Sequence, residues 1–397
     1  MKVDNNYLSA EQAAKVLNVS LETLYAYVSR KRVRSLPISG TRRRRYWKAD
    51  IERLRDKKAA ALVTTGPLKH ESKITLITAS DFFYRGRNAV ELAEQSSFES
   101  VAAMLWGVKV EDVFGPTAPK LPPLFKQMDK LLAKESEINR ATALFTLLEQ
   151  ANPKAYDLST LGMARTGVDI LRCLAAITLR TARVTAEPIH LFVARNRDLS
   201  PALADLVRRL LILSADHAFE PGTVAVRTVA SMGVTPWRSL ISGFTVTLGR
   251  RGRMGSFEAI YRFIVEIVAC SDPYAMVVRR IRDGEPLPGF DTTTVAAVHP
   301  AGDPRARSIF QFCSAILAKD SAFGRVKAVA AAIKEIKNLE PSWTFMCVFV
   351  GWKIGLNPQD SLFHLGRAAG WVAHAIEQYQ AGETYRQPET YKGELPV

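Results

Sequence analysis

The sequence lacks any long apolar stretch. Its longest candidate, residues 343–352, is a ten-residue run, whereas a membrane-spanning helix needs about 18 or more apolar residues in succession. The N-terminal segment also lacks the apolar core of a secretory signal peptide. We therefore expect no membrane partner and a cytoplasmic protein, in which the ten-residue run forms a buried helix.

Cysteine is scarce, and motifs for tight cofactor or metal binding are missing. The four cysteines lie far apart in apolar segments, which favours buried free thiols in a reducing compartment. No pair of them has the spacing of metal ligands, and neither a glycine-rich phosphate loop nor a nucleophile elbow occurs. The sequence therefore predicts no metal site and no tightly bound cofactor.

Positive charge, by contrast, is abundant and unevenly distributed. The 397 residues carry a formal charge of +15, and residues 1–60 hold 15 Lys and Arg against 6 Asp and Glu. This concentration of charge indicates a basic module that binds a polyanion. The length of the chain predicts two or three domains.

The basic segment begins with a helix-turn-helix pattern. Ser9 and Gln12 have the spacing of a capping box before a first short helix. Ser20 can cap a second helix after a short turn, and small alanines lie where the two helices would cross. Two short helices joined by a tight turn are typical of a DNA-binding module.

The residues that follow resemble the wing of MerR- and excisionase-type domains. Residues 34–38 and 42–47 predict two short strands around the turn Ser39-Gly40. The second helix would enter a major groove while the basic wing tip neutralises phosphates, so double-stranded DNA is the expected partner. We assign this domain to residues 1–58 and a linker to 59–73. The predicted DNA-binding residues are Thr23, Tyr27, Arg30, Arg42, Arg43, Arg44 and Arg45.

The remaining sequence has the periodicity of helices. Apolar residues recur three and four positions apart in segments 141–148, 203–213, 259–268 and 326–336, as on the inner faces of α-helices. No series of strands is evident. The periodicity alone predicts a large, mainly α-helical domain.

Several ordered motifs in this helical part resemble the citrate synthase family, in its short bacterial type. Together they extend over about 74–393, too much of the chain for coincidence. The motifs are Tyr84-Arg85-Gly86, Ala215-Asp216-His217, Gly302-Asp303-Pro304-Arg305, and the terminal segment 362–394 with its Gly366-Arg367-Ala368-Ala369-Gly370-Trp371.

The resemblance implies a fold and an assembly. Family members are mainly α, with a large helical domain and a smaller one that closes over the active site. In this chain the large domain would comprise residues 74–255 and 346–397, and the small domain residues 256–345. Members also act as dimers, because one arginine of the site comes from the partner subunit, and Arg386 matches it.

The resemblance also implies a reaction and a substrate site. Family members condense acetyl-CoA with oxaloacetate and water to give citrate and CoA, so acetyl-CoA or another acyl-CoA is a possible co-substrate. Arginine suits the binding of carboxylates because its planar guanidinium donates two parallel hydrogen bonds. The residues that match the substrate-binding positions are His217, Arg305, Arg367 and Arg386.

The catalytic positions depart from the family pattern. The loop 249–259 contains no histidine, and Asp291-Thr292 stands where the family has Gly-His. Glu340 takes the place of the aspartate base, and His299 is the histidine nearest to the altered motif. The longer side chain of glutamate moves the carboxylate, and a misplacement of about 1 Å can cost roughly 100-fold in rate. Glu340 and His299 are therefore candidate catalytic residues in an altered site.

Three hypotheses follow from this mixture. The one we favour is a DNA-binding regulator that senses oxaloacetate, citrate or a related carboxylate and has impaired catalysis. The second is an active citrate or methylcitrate synthase that uses Glu340 as its base and recruits His299. The third is a regulatory subunit that forms a heterodimer with an intact paralogue and lends it Arg386.

Overall fold

A computed structural model divides the chain into two units. The structure describes residues 7–31, 33–38, 40–41, 43–48, 50–52, 54–55, 71–249, 254–290, 299 and 302–382. The first unit contains the described residues up to 55, and the second contains those from 71 to 382. The predictions for Arg42, Arg386, Asp291-Thr292 and most of the linker fall outside the described residues.

The first unit has the predicted helix-turn-helix and wing. The capping box is present, since Gln12 N donates to Ser9 Oγ and Ser9 N donates to Gln12 Oε1. The elements are β1 (Tyr7–Leu8), α1 (Ala10–Leu17), α2 (Leu21–Lys31), β2 (Ser35–Pro37) and β3 (Arg44–Trp47). The strands form an antiparallel sheet in the order β1-β3-β2.

A small apolar core holds this unit together. Ala13 and Leu17 of α1 pack with Leu24 of α2, and Tyr46 of the wing closes the cluster together with Ile51. Because α1 contributes alanine at this contact, the two short helices can cross closely. The prediction of a helix-turn-helix is confirmed.

The second unit is mainly helical, as predicted. A small antiparallel sheet, β4 (Thr75–Ile77), β5 (Phe82–Tyr84) and β6 (Arg87–Asn88), precedes the helices. The helices are α3 (Ala89–Gln95), α4 (Phe98–Trp106), α5 (Val110–Val113), α6 (Leu124–Leu131), α7 (Glu137–Gln150), α8 (Thr160–Thr178), α9 (Ile189–Asn196), α10 (Pro201–Ser214), α11 (Pro221–Ala230), α12 (Pro236–Thr247), α13 (Met254–Ala269), α14 (Pro273–Arg282), α15 (Pro304–Ile316), α16 (Ser321–Lys337), α17 (Trp343–Lys353) and α18 (Leu362–Gln380). The boundary between a large and a small domain stays a prediction.

Local sequence signals explain many of the helix starts. Side-chain oxygens at the first position before a helix accept backbone N–H groups that have no partner within the helix. Proline follows directly in several cases, because its fixed φ suits the first helical position. Such caps are Ser97, Ser136, Ser159, Ser200, Thr235, Asp272, Asp303, Asp320, Ser342 and Ser361.

Helix α18 lies at the centre of the second unit, and all its residues from 362 to 376 are buried. Two glycines let it approach the end of α10 closely. A Cβ at Gly366 would lie 2.6 Å from the Leu211 carbonyl oxygen, and one at Gly370 would lie 2.0 Å from that of Ala215. Only glycine fits at these contacts. The glycines thereby bring Arg367 and the turn after α10 together.

Two further predictions concern membrane-spanning helices and the cysteines. Within the described residues, no helix is long and apolar enough to cross a membrane. All four cysteines are free thiols. Cys173, Cys313 and Cys347 are buried, but the prediction is wrong for Cys270, which is partly exposed because it follows the last residue of α13.

Candidate functional site

The site is built on the turn that follows α10. The buried hydroxyl of Tyr84, from β5, lies 3.0 Å from the Ile212 carbonyl oxygen and accepts a hydrogen bond of 3.1 Å from Asp216 N. Burial raises the pKa of Tyr84 well above its usual value, so the phenol stays neutral and can donate. Tyr84 therefore fixes the turn that carries Asp216 and His217.

Asp216 is a buried carboxylate that stabilises this turn. Its Oδ2 accepts the backbone N–H of Ala218 at 3.0 Å, and its Oδ1 lies 3.2 Å from Nε2 of His374. Burial alone would raise the pKa of Asp216, but His374 and Arg367 outweigh that effect and lower it to about 2. The carboxylate is thus ionised, and Ala218 is held at a φ of 55°, which a non-glycine residue rarely adopts.

A buried polar chain extends from Asp216 along α18. Arg227 of α11 lies with Nη1 3.2 Å from Nδ1 of His374 and donates to Glu377 Oε2 at 2.7 Å. Since an arginine can only donate, Nδ1 of His374 accepts, and Nε2 carries the proton towards Asp216. His374 is therefore a positioning residue that links α11, α18 and the turn.

Arg367 is fully buried within this framework. Its Nε donates to the Ser214 carbonyl oxygen at 2.9 Å, and its Nη1 lies 2.9 Å from Oε1 of Glu220. The guanidinium packs over the ring of Phe363 at 5.0 Å. Nη2 is buried without a hydrogen-bond partner among the described residues. Among the described residues Nη1 also lacks a partner in hydrogen-bond geometry, so its contact with Glu220 is an ion pair and the guanidinium keeps unused donors at both Nη atoms.

Arg305, at the start of α15, is held in a similar way. Its Nε and Nη2 donate to the two oxygens of Asp303 at 3.0 and 2.6 Å, and Asp303 Oδ1 also accepts its backbone N–H. The guanidinium lies 5.7 Å from the ring of Phe82 and 5.1 Å from that of Trp343. Its Nη1 is buried without a hydrogen-bond partner in the described part of the chain.

Two histidines of the site are in contact. His217 follows Asp216 in the turn, and its Nε2 lies 3.1 Å from Nε2 of His299. His299 is buried, and its Nδ1 has no hydrogen-bond partner among the described residues. Burial, supported by the charge of Arg305, lowers the pKa of His299 against the opposing effect of Asp303. A neutral imidazole at this position can both accept and donate.

Glu340 occupies a more open position. It forms ion pairs with Arg307 at 2.9 Å and Lys334 at 3.2 Å, and about a third of its side chain (34%) is exposed. Partial burial raises the pKa of Glu340, but hydrogen bonds from these two cations outweigh it and lower the pKa. A Cβ at Gly302 would lie 2.7 Å from its Oε2, so Glu340 lies beside the segment that leads to Arg305.

The structure thus brings together some of the predicted residues but not all. His217 and His299 are in contact, and Arg305 and Arg367 are each buried and held by an internal carboxylate. Glu220 was missed by the sequence interpretation. Its position, three residues after His217 of the Ala-Asp-His motif and directly before Pro221, is the signal that could have found it.

A separate cavity lies beside α18. Its volume is about 240 Å³, and none of the predicted substrate residues that the structure describes line it. His364 contributes to its wall and is tied to the buried Glu137 at 2.9 Å through Nδ1. The lining residues are Ser136, Phe257, Glu258, Pro358, Gln359, Ser361 and His364.

The structure describes four of the predicted DNA-binding residues in full, Thr23, Arg43, Arg44 and Arg45. Arg43, Arg44 and Arg45 are exposed on the wing, and Arg44 Nε donates to Ser35 Oγ at 2.8 Å. Thr23 N donates to Ser20 Oγ at 3.2 Å, so Thr23 belongs to the cap of α2. Tyr27 and Arg30 lie in α2, but their side chains fall outside the described part.

Comparisons with known proteins agree with both units. The family profile "Citrate synthase, C-terminal domain" matches residues 64–388, and "Helix-turn-helix domain" matches residues 7–59. Citrate synthase 2 of Bacillus subtilis is 24% identical over 368 residues, which cover 83% of this chain and 94% of the relative. Citrate synthase of Haloferax volcanii is 25% identical over 375 residues and covers the same shares.

Solved structures show the same fold. The citrate synthase of Pyrobaculum aerophilum superposes with a TM-score of 0.68 at 21% identity, covering 83% of this chain and 91% of that one. The citrate synthase of Thermoplasma acidophilum, solved as a ternary complex with carboxymethyl coenzyme A and oxaloacetate, superposes with a TM-score of 0.66 at 18% identity. That superposition covers 83% of this chain and 95% of the Thermoplasma enzyme.

Proposed function

Because the chain belongs to the citrate synthase family and carries an N-terminal helix-turn-helix domain, we propose that it is a dimeric DNA-binding regulator. Its citrate synthase-like domain would bind oxaloacetate, citrate or a related di- or tricarboxylate and have impaired catalysis. The observation that carries the proposal is the pair of buried arginines, Arg305 and Arg367, each with a donor that no described residue uses.

Unused buried donors favour an anionic ligand. Leaving a buried polar group without a partner costs about 1–3 kcal/mol, and more for a charged group. Nη1 of Arg305 and Nη2 of Arg367 are such groups, and Nδ1 of His299 is a third. A carboxylate would supply acceptors for them, and hydrogen bonds between ionised partners are the strong ones. By family resemblance, Arg386 of the partner subunit would complete this receptor.

Impaired catalysis is supported by the state of the candidate base. Glu340 is engaged by Arg307 and Lys334, and its pKa is lowered, so it is a weaker base than a free glutamate. The loop 249–259 also contains no histidine that could hold an enolate. Loss of a positioned proton donor typically costs about 10²–10⁴-fold in rate.

One observation favours the alternative of an active synthase. His299 lies next to His217, the residue that matches an oxaloacetate-binding position. A neutral His299 could donate a proton to a carbonyl oxygen bound beside His217. Acetyl-CoA or another acyl-CoA would then be the co-substrate, and Glu340 the base.

The test is an assay of CoA release with acetyl-CoA and oxaloacetate, paired with a thermal shift measurement. If the protein is a regulator, oxaloacetate or citrate should raise its melting temperature, since a ligand that binds only the folded state stabilises that state. Its rate of CoA release should also be several orders of magnitude below that of an ordinary citrate synthase. Turnover in the ordinary range would favour the synthase, and no shift with any di- or tricarboxylate would exclude the sensor.

A further inference from the structure

The environment of Glu220 differs from that of the other carboxylate at the arginine pair. Glu220 is the cap residue before α11, where a carboxylate side chain commonly accepts backbone N–H groups, but it makes no such capping bond. Its Oε1 instead lies 2.9 Å from Nη1 of Arg367. The chain has thus placed its own carboxylate on an arginine that matches a substrate-binding position.

Asp303 has a different relation to Arg305. It caps α15, accepts three hydrogen bonds from Arg305, and is almost fully buried, with 1% of its side chain exposed. It therefore orients the guanidinium as part of the fold. Glu220 keeps 12% of its side chain exposed and does not cap its helix, so its carboxylate can give way to a ligand while the start of α11 stays intact.

We propose that Glu220 is a specificity-determining residue that competes with the ligand for Arg367. This inference rests on the proposed carboxylate-binding function. A ligand carboxylate that approaches Arg367 either displaces the Glu220 carboxylate or binds beside it, and like charges placed together in a buried site are strongly unfavourable. A monocarboxylate can pair with Arg305 alone, whereas a ligand with two carboxylates must also occupy Arg367, so Glu220 weakens the binding of dicarboxylates more than that of monocarboxylates.

The experiment measures dissociation constants for citrate, succinate and acetate by isothermal titration calorimetry. For Glu220→Gln we expect succinate and citrate to bind about tenfold more tightly or better, with a smaller change for acetate. Glu111→Gln removes an exposed carboxylate elsewhere and is the matched control, expected to leave all three constants unchanged. Glu220→Ala repeats the test if the glutamine variant does not fold.

A double-mutant comparison shows whether the gain acts through Arg367. In an Arg367→Ala background, Glu220→Gln should no longer improve binding. If the wild type binds dicarboxylates and neither Glu220 variant binds them more tightly, the inference is wrong and the sensor proposal stands. If only the Glu220 variants bind them, the inference stands and the sensor proposal fails. If no protein binds any of the three acids, both are wrong.

Discussion

His217 and His299 meet end to end, with 3.1 Å between their Nε2 atoms. At this distance one nitrogen must carry a proton and donate while the other accepts, because two donors or two acceptors would repel. The two facing nitrogens therefore hold a single proton between them.

The first prediction concerns the pH dependence of stability. The pKa of His299 is lowered in the folded state, so the unfolded chain binds more protons there as pH falls below about 6.5. Stability then decreases from that pH down to the folded-state pKa, with a slope of at most about 1.4 kcal/mol per pH unit. Urea unfolding of the wild type and of His299→Gln from pH 8 to 5 measures this. The free energy of unfolding should decrease more steeply with falling pH in the wild type, and parallel curves of free energy against pH would contradict the prediction.

The second prediction concerns ligand binding at the arginine pair. Citrate at 100 times its dissociation constant should stabilise the wild type by about 2.7 kcal/mol. Arg305→Ala and Arg367→Ala should remove the thermal shift, because each takes away a buried charged donor. Arg279→Ala, which breaks a surface ion pair with Glu266, should retain it. A citrate-induced shift that persists in both variants would show that the ligand binds elsewhere.

The third prediction concerns DNA binding by the wing. Replacing Arg42, Arg43, Arg44 and Arg45 with Ala should weaken binding, and the slope of log affinity against log salt should become shallower by roughly 0.9 for each phosphate that is no longer neutralised. Fluorescence anisotropy with a duplex at several salt concentrations measures both. The control removes the same charge from exposed positions of the second unit, Lys109, Lys126, Lys134 and Lys154. If both variants show the same change in slope, the wing does not bind the DNA.

The fourth prediction concerns the close contact of α18 with the end of α10. Gly370→Ala would place a methyl group 2.0 Å from the Ala215 carbonyl oxygen, and such overpacking typically costs about 1–3 kcal/mol or more. Gly324→Ala, in α16 with no neighbouring atom within 4 Å, should instead stabilise the protein by about 0.4–1 kcal/mol. Chemical denaturation measures the free energy of unfolding of the two variants. Equal changes relative to the wild type would contradict the role of the contact.

Local signals in the sequence determined much of the fold. The capping box of Ser9 and Gln12, the helical periodicity of the second unit and the turn at Gly40 each depend on residues a few positions apart. Such short-range patterns specify helices and turns directly because they satisfy backbone groups locally. The motifs around His217, Arg305 and Arg367 likewise identify the family from consecutive residues alone.

Only the tertiary structure decided what those motif residues contact. His217 and His299 are 82 positions apart, and Arg367 meets Glu220 from a distant helix. No spacing in the sequence encodes such pairs, because they depend on how closely α18 packs on α10 and on the turn held by Tyr84. The sequence by itself predicted His217, His299, Arg305 and Arg367 as site residues. The packing decided that His217 meets His299 and that Glu220 pairs with Arg367.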